Sequence, residues 1–229
     1  FNVGEGPAYF KMPILWQFGA DVISPDGSTA EGYLNSPEAL EALQFYQDFY
    51  RKHRVASVEM PPAPFENDKL GMTILGSWAI WELQQTPGFV LGEDFGVAPL
   101  PKGKNQVVPN GGWALGISSK TKHPEESWEF VKFASGYEGS KMFVEISGDL
   151  PARYSVARDF PELNEYPKNI FVQQDQNYSR SRPVTPAYPI ISEAIKELFE
   201  DVGLEGKNVE EAANIAVEKI NNGLKDIKK

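Results

Sequence analysis

Residues 65–83 read FENDKLGMTILGSWAIWEL, and this stretch decides how the fold is interpreted. A polar turn leads into the short apolar run 72–75, which ends at Gly76 and Ser77. Because the run is short and bounded by glycines, it predicts a buried strand, and Ser77 predicts the N-cap of a helix that begins at Trp78. Ligands of open α/β sheets bind at the carboxyl ends of strands. We therefore expect the flat apolar face of Trp78 to line a ligand crevice, where it would suit a sugar ring.

Helix signals dominate the two ends of the chain. Ser36 and Pro37 form a strong helix start, and apolar residues follow them at helical spacing. Two more helices close the chain, and the second begins with the capping pair Asn208 and Glu211. Pro13 predicts the opening of an N-terminal helix. The residues predicted to be buried on the first of these helices and on the two closing helices are Ala39, Ala42, Leu43, Tyr46, Phe49, Tyr50, Ile191, Ala194, Ile195, Leu198, Val202, Ala213, Ala216 and Ile220.

The middle of the chain predicts strands that alternate with short helices. Residues 95–101 read FGVAPLP, a strand closed by prolines, and residues 111–118 read GGWALGIS, a strand whose glycines allow close backbone approach. Helices are predicted at 123–133 and 137–146. Residues 154–190 are polar and carry several prolines, so we expect them to be irregular. The whole pattern indicates an α/β fold.

Composition and charge restrict the class of partner. Lys and Arg number 22 against 32 Asp and Glu, and the resulting net charge of −10 opposes binding to nucleic acid or to an anionic membrane. Cysteine is absent, and the only histidines, His53 and His123, form no zinc motif. No apolar stretch approaches the roughly 18 residues that a membrane span needs. The chain starts at Phe1 without an initiating Met, so we expect it to be cut from a longer protein.

The order of these signals is similar to that of a known protein family. In sequence, F-x-x-x-K-x-G-M-T-I-x-G-S-W is followed by F-G-V-A-P-L-P, by G-G-W-A-L-G-I-S-S-K-T-K-H-P-E-E-S-W-E-F-V-K-F and by L-P-A-R. The chain resembles the C-terminal part of the carbohydrate-binding extracellular solute-binding proteins of ABC transporters, the superfamily that includes maltose-binding protein. The resemblance covers nearly the whole chain, and several separate segments recur in one order.

The resemblance implies an α/β fold of the periplasmic-binding-protein-like (type II) class, mainly its C-terminal lobe. It implies three regions: residues 1–110 form the core of that lobe with aromatic ligand-side loops, residues 111–152 cross to the N-terminal lobe, and residues 153–229 return with the closing helices. It also implies a receptor that captures a sugar or oligosaccharide between two lobes and delivers it to the permease subunits in the membrane. By this resemblance the protein is extracellular or periplasmic, with a lipid anchor left open. It is then not an enzyme, uses no cofactor, and is a monomer when full length.

The resemblance also places the ligand-binding residues. Tyr9 and Trp78 match positions at which maltose-type members stack an aromatic ring on sugar. Trp113 resembles a tryptophan near the hinge of oligosaccharide binders, and Gly111 and Gly112 precede it. Tyr188 lies near a further aromatic contact. Arg153 and Arg182 are expected to bond sugar hydroxyls, whereas Asp21 and Asp26 are polar partners only. Trp16, Trp81 and Trp128 are predicted to pack in the core.

Other functions stay open at this point. A glycoside hydrolase would need two carboxylates across the scissile bond, and Glu82, Glu145 and Asp149 could be named, although each is more typical of a solvated helix or loop carboxylate. Peptide and glycerophosphoryl ligands fit the same architecture. A protein-interaction module with exposed aromatic residues is a third class.

Overall fold

The structure is a computed structural model that describes residues 8–57 and 59–227. The chain divides into two compact units, and each crosses the sequence more than once. The first unit consists of Phe1–Ile74, Leu100–Asn110 and Tyr178–Lys229, and the second of Leu75–Pro99 and Gly111–Asn177. The assignment of 111–152 to a different lobe of a complete protein stays a prediction.

The first unit is built around four helices. They are α1 (Ala8–Phe18), α2 (Pro37–Arg51), α8 (Tyr188–Phe199) and α9 (Val209–Ile227), and a π-helical turn (Glu200–Glu205) continues α8. Their buried residues meet in one core. Helices α2, α8 and α9 carry apolar residues on one face, whereas α1 is apolar around most of its circumference. The buried side chains of this core include Met12, Leu15, Trp16, Leu34, Leu43, Tyr46, Ile191, Ile195, Leu198, Phe199, Val202, Ala213, Val217 and Ile220.

The sequence signals of α2 and of the closing helices are confirmed. The hydroxyl of Ser36 accepts a hydrogen bond from Ala39 N at 3.2 Å, and Pro37 occupies the first helical position. Asn208 Oδ1 accepts from the backbone N–H groups of Glu210 and Glu211 at 3.0 and 3.1 Å. These side chains satisfy N–H groups that have no partner inside the helix.

The N-terminal helix differs from its prediction. Pro13 lies in the interior of α1 and is buried, so the prediction that it opens the helix is wrong. A proline there removes one backbone hydrogen bond and destabilises the helix. Burial of Met12, Leu15 and Trp16 on the same helix opposes that cost, because packing of an apolar face supplies most helical stability in proteins.

Two short strands pair where the chain leaves and re-enters the first unit. Strand β1 (Val108–Pro109) lies parallel to β2 (Ser179–Arg180), with Val108 opposite Ser179, and Asn110 N donates to Arg180 O at 3.0 Å. The side chain of Gln17, near the end of α1, also donates to Val107 O at 3.2 Å. The segment that leaves the first unit and the segment that returns to it are thus hydrogen-bonded to each other next to the end of α1.

The second unit is also mostly helical. Its elements are α3 (Trp78–Gln84), α4 (Pro124–Ala134), α5 (Tyr137–Ser147), α6 (Tyr154–Ala157), a 3-10 helix (Pro161–Asn164) and α7 (Lys168–Tyr178), the last residue of which belongs to the first unit. Helices α4 and α5 confirm the predicted pair. The prediction that residues 154–190 are irregular is wrong, because α6, α7 and the start of α8 lie there.

The predicted strands are not formed. In the part of the chain that the structure describes, residues 72–75, 95–101 and 111–118 belong to no ladder, apart from isolated bridge residues at Thr73 and between Leu91 and Phe95. A strand obtains its hydrogen bonds from a neighbouring strand, and these segments have no such neighbour among the described residues. Helix α3 begins at Trp78 with Ser77 at its N-cap position, as predicted, but the Ser77 hydroxyl donates to Asp149 Oδ1 at 3.1 Å and makes no cap hydrogen bond.

Two tryptophans predicted as core are exposed. Trp128 on α4 is 50% exposed and Trp81 on α3 is 49% exposed, whereas Trp16 is buried as predicted. Helix α4, all of whose residues are described, has no buried residue. None of the described helices is both long and apolar enough to cross a membrane.

Candidate ligand-binding site

The first unit brings three of the sequence-predicted site residues together. Tyr9 lies in the first turn of α1, Tyr188 is the first residue of α8, and Arg182 lies in the segment between β2 and α8. Helices α1 and α8 pack against each other, so their first turns meet although the two tyrosines are far apart in sequence. All three side chains are half-buried.

Arg182 lies over both rings of this cluster. Its guanidinium carbon is 5.3 Å from the ring centroid of Tyr9 and 5.3 Å from that of Tyr188. One of its nitrogens, Nη1, donates a hydrogen bond to the Tyr188 hydroxyl at 3.2 Å. A cation over the face of an aromatic ring is attracted by the ring's quadrupole. We call Tyr9, Arg182 and Tyr188 the tyrosine–arginine cluster.

A second arginine also lies over an aromatic ring of α1, and the sequence analysis did not single it out. The Arg180 guanidinium carbon is 5.0 Å from the ring of Trp16, and its Nη2 forms an ion pair with Asp21 Oδ2. Arg180 and Arg182 are two residues apart, and side chains at that spacing lie on the same side of an extended strand. This spacing was the signal in the sequence that could have identified the pair. Asp21, predicted as a polar ligand partner, is instead engaged by Arg180.

In the second unit, Trp78 lies directly over Gly76. A Cβ added at Gly76 would be 1.9 Å from the Trp78 ring, so no other residue fits there unless the ring moves. The indole is half-buried in the first turn of α3. The position of the Trp78 ring therefore requires a glycine at residue 76.

The other predicted residues of the second unit are not gathered into a site by the described structure. Trp113 is 99% exposed, and a Cβ at Gly112 would meet nothing within 4 Å; Gly111 beside it is exposed. Arg153 donates through Nε to the carbonyl of Ser135 at 2.5 Å, which ties the start of α6 to the end of α4. The ligand roles of these residues stay predictions.

The carboxylates named for a hydrolase show no catalytic arrangement. Glu82 and Glu145 are exposed, and Asp149 is bonded to Ser77. Within residues 8–57 and 59–227, no three His, Cys, Asp or Glu side chains form a group that could hold a metal ion.

The geometry of the tyrosine–arginine cluster suits a polyhydroxylated ligand. A tyrosine ring offers an apolar face to the C–H groups of a sugar and a hydroxyl to its O–H groups, and a guanidinium offers further donors. Sites of this kind combine aromatic walls with a few polar groups that fix orientation.

Comparison with solved structures defines the class of fold. A solute-binding protein of an ABC transporter from Thermotoga lettingae, bound with α-D-tagatose, aligns with a TM-score of 0.82 and 27% identity over 93% of this chain and 55% of that chain. Maltose-bound MalE3 of T. maritima aligns with a TM-score of 0.75 and 26% identity over 97% of this chain and 58% of that chain. The chain therefore has the α/β periplasmic-binding-protein-like (type II) fold.

Sequence comparison then defines the family. The model of the bacterial extracellular solute-binding protein family matches residues 1–141, and the chain belongs to that family. A multiple sugar-binding protein of Streptococcus mutans is 35% identical over 96 residues, which are 42% of this chain and 23% of that protein. The family and these relatives are binding proteins rather than enzymes. The chain spans a little over half the length of the solved relatives named above.

Proposed function

We propose that this chain is the larger part of the carbohydrate receptor of an ABC importer. The observation that carries the proposal is the tyrosine–arginine cluster, in which two half-exposed aromatic rings and a guanidinium meet at the first turns of α1 and α8. Membership of the solute-binding family and likeness to sugar-binding relatives support it. The ligand is a sugar or oligosaccharide, which the receptor captures outside the cell or in the periplasm and delivers to permease subunits in the membrane.

The chemistry of the site favours binding over reaction. Tyr9 and Tyr188 provide apolar faces, and the hydroxyl of Tyr188 provides a hydrogen bond to the ligand. Trp78 in the second unit is the further aromatic residue that we assign to the ligand, together with Trp113, Gly111, Gly112 and Arg153 as predicted from the sequence. Contacts from two lobes favour the closed state only when sugar is bound, which is a shift of population and not a chemical step.

The test is a titration of intrinsic tryptophan fluorescence in the full-length protein. The probes are D-tagatose, maltose, maltotetraose, glycerophosphocholine and a tripeptide, and each ligand is analysed by chromatography afterwards. Saturable binding of a sugar that is recovered intact is the expected result. A cleaved sugar would instead identify a glycoside hydrolase, and saturation only by glycerophosphocholine or peptide would refute the carbohydrate assignment.

We also propose that residues 111–152 pack against the second lobe of the complete receptor, which then acts as a monomer. The supporting observation is the exposure of large apolar side chains on α4 and α5, among them Trp128, Phe130, Phe133, Phe143 and Ile146. A groove of about 480 Å³ runs between α4 and residues 115–118. Exposed apolar patches mark surfaces that bind a partner, a ligand or a membrane, and we assign this one to the second lobe.

This packing has a direct test in the full-length protein. Phe130→Asp is expected to lower the melting temperature by several degrees, because a charge would enter a covered apolar surface. Ile215→Asp is the matched control, since Ile215 is equally exposed on the outer face of α9. Equal, small changes in both variants would show that α4 is not covered.

A further inference from the structure

We propose that Arg182 is a positioning residue that holds Tyr9 and Tyr188 as one two-ring platform and thereby sets the preference for longer sugars. The inference rests on the proposed carbohydrate-binding function. It assigns to Arg182 a role that differs from a direct bond to sugar, because its guanidinium contacts both rings and one ring hydroxyl within the protein itself.

The two rings come from separate parts of the chain, and Arg182 is a group that touches both. Tyr9 is carried by α1 and Tyr188 by α8, and the guanidinium carbon lies at the same distance, 5.3 Å, from the two centroids. A guanidinium is planar and rigid, so it can lie against an aromatic face and still donate along its edge. Lysine has a compact ammonium group and cannot reproduce both contacts at once.

The hydrogen bond to Tyr188 also determines what its hydroxyl can offer. A tyrosine hydroxyl has one O–H donor and accepts through its oxygen. Arg182 Nη1 donates to that oxygen at 3.2 Å. The O–H of Tyr188 therefore has to donate elsewhere, and an oxygen of a bound sugar is a suitable acceptor. In this way Arg182 orients the donor of Tyr188 as well as its ring.

Holding two rings together matters only for a ligand that reaches both. A monosaccharide covers one ring, so its affinity depends little on where the second ring lies. An oligosaccharide that stacks on both rings gains from their fixed spacing, because less freedom is lost on binding to a preorganised site. Loss of Arg182 should therefore reduce the preference for the longer sugar more than it reduces binding of the shorter one.

Arg180 provides a matched comparison. It lies two residues earlier in the chain, and its guanidinium also lies over an aromatic ring of α1, but that residue, Trp16, is buried. Arg180 is paired with Asp21, and its backbone belongs to β2. Arg180 contacts neither of the two tyrosine rings in the described structure, so its substitution should affect stability and not sugar preference.

The experiment compares Arg182→Met and Arg182→Lys with Arg180→Met and Arg180→Lys in the full-length protein. Calorimetric titrations with D-glucose, maltose and maltotetraose give the affinity for the longest sugar that the wild-type protein binds, divided by its affinity for the shortest. We expect both Arg182 variants to lower this ratio roughly tenfold, the factor expected when one preorganised aromatic contact is lost. The Arg180 variants should keep the ratio and lower the melting temperature.

A double-mutant cycle separates positioning from direct contact. If Arg182 acts through Tyr188, Arg182→Met should cost little further affinity in a Tyr188→Leu background, because no ring remains to be positioned. The cycle needs the affinity for only one sugar, so it also tests the role of Arg182 if the wild-type protein binds only one of the three sugars.

The outcomes distinguish the two proposals. A wild-type protein that binds no sugar refutes the proposed function, and the role of Arg182 is refuted with it. A wild-type protein that binds sugar, with Arg182→Met unchanged in affinity and ratio, refutes only the role of Arg182. Losses that multiply in the double mutant would also overturn it, since they identify a direct contact between Arg182 and sugar.

Discussion

Lys11 on α1 makes the stability of the first unit depend on pH. Its side chain is mostly buried, and this burial lowers the pKa of Lys11 to about 8, while the Glu200 carboxylate opposes the shift. The amine is 3.4 Å from the hydroxyl of Tyr46, which in turn is 3.1 Å from that of Tyr50. Below pH 8 the folded protein must hold an ammonium group in an environment that favours the neutral amine.

The sign and size of the effect follow from proton binding. The unfolded chain keeps Lys11 protonated up to its ordinary pKa of 10.5, so between pH 8 and 10.5 the unfolded state binds more protons than the folded state. The free energy of unfolding then rises with pH. Integrated from pH 7.0 to 9.5, the gain is about 2 kcal/mol. The pH range ends at 9.5, below the ordinary pKa of tyrosine, because Tyr46 would otherwise contribute to the result. Burial raises the pKa of Tyr46, and this shift lowers the free energy of unfolding only above pH 10.

The assay is urea unfolding of the full-length protein, followed by circular dichroism between pH 7.0 and 9.5. Lys11→Met removes the titrating group, so the wild-type protein should gain about 2 kcal/mol relative to this variant across the range. Lys52→Met is the control, because Lys52 is exposed, and its curve should run parallel to the wild type. A ¹³C signal of the Lys11 side chain that titrates near pH 10.5, or parallel curves for Lys11→Met and wild type, would refute the reasoning.

Three further predictions concern α2 and α3. Ser36→Ala should lower the free energy of unfolding by about 1 kcal/mol, because Ala39 N loses its cap, whereas Ser36→Asn should retain the stability; equal losses would contradict the capping role. Gly76→Ala should displace the Trp78 ring, which near-ultraviolet circular dichroism would report, and weaken sugar binding; an unchanged spectrum would count against the contact. Trp78→Ala should weaken sugar binding by roughly 1 to 3 kcal/mol with little change in melting temperature, measured by calorimetry, and unchanged affinity would remove Trp78 from the site.

The helices of the first unit were predictable because their signals are local. Ser36 caps α2 through a residue three positions away, and Leu198 lies on the same helical face as Ile191 and Ile195. Periodicity and capping depend on residues within one or two turns, so they can be read without knowing the rest of the fold. Family resemblance, carried by ordered motifs, supplied the fold class.

Strands and burial in the second unit were less predictable because both depend on distant partners. The run that contains Trp113 has the composition of a strand, but its ladder requires a neighbour that the described chain does not supply. Trp128 has the spacing of a core residue, but the side chain is buried only if another surface covers α4. Likewise, no local pattern predicts that Arg182 and Tyr9 meet, since α1 and α8 are brought together by tertiary packing.

The pairing of β1 with β2 has a consequence for the order of folding. The two strands close a loop of about 70 residues, and closing such a loop costs about 4 kcal/mol of chain entropy. Two residue pairs with their few hydrogen bonds, each contributing about 1 kcal/mol, do not offset that cost. We therefore expect the strands to pair after α1 is in place, when Trp16 and Asp21 can hold Arg180. The short ladder would then form on helices that have already docked, and it would not nucleate the first unit.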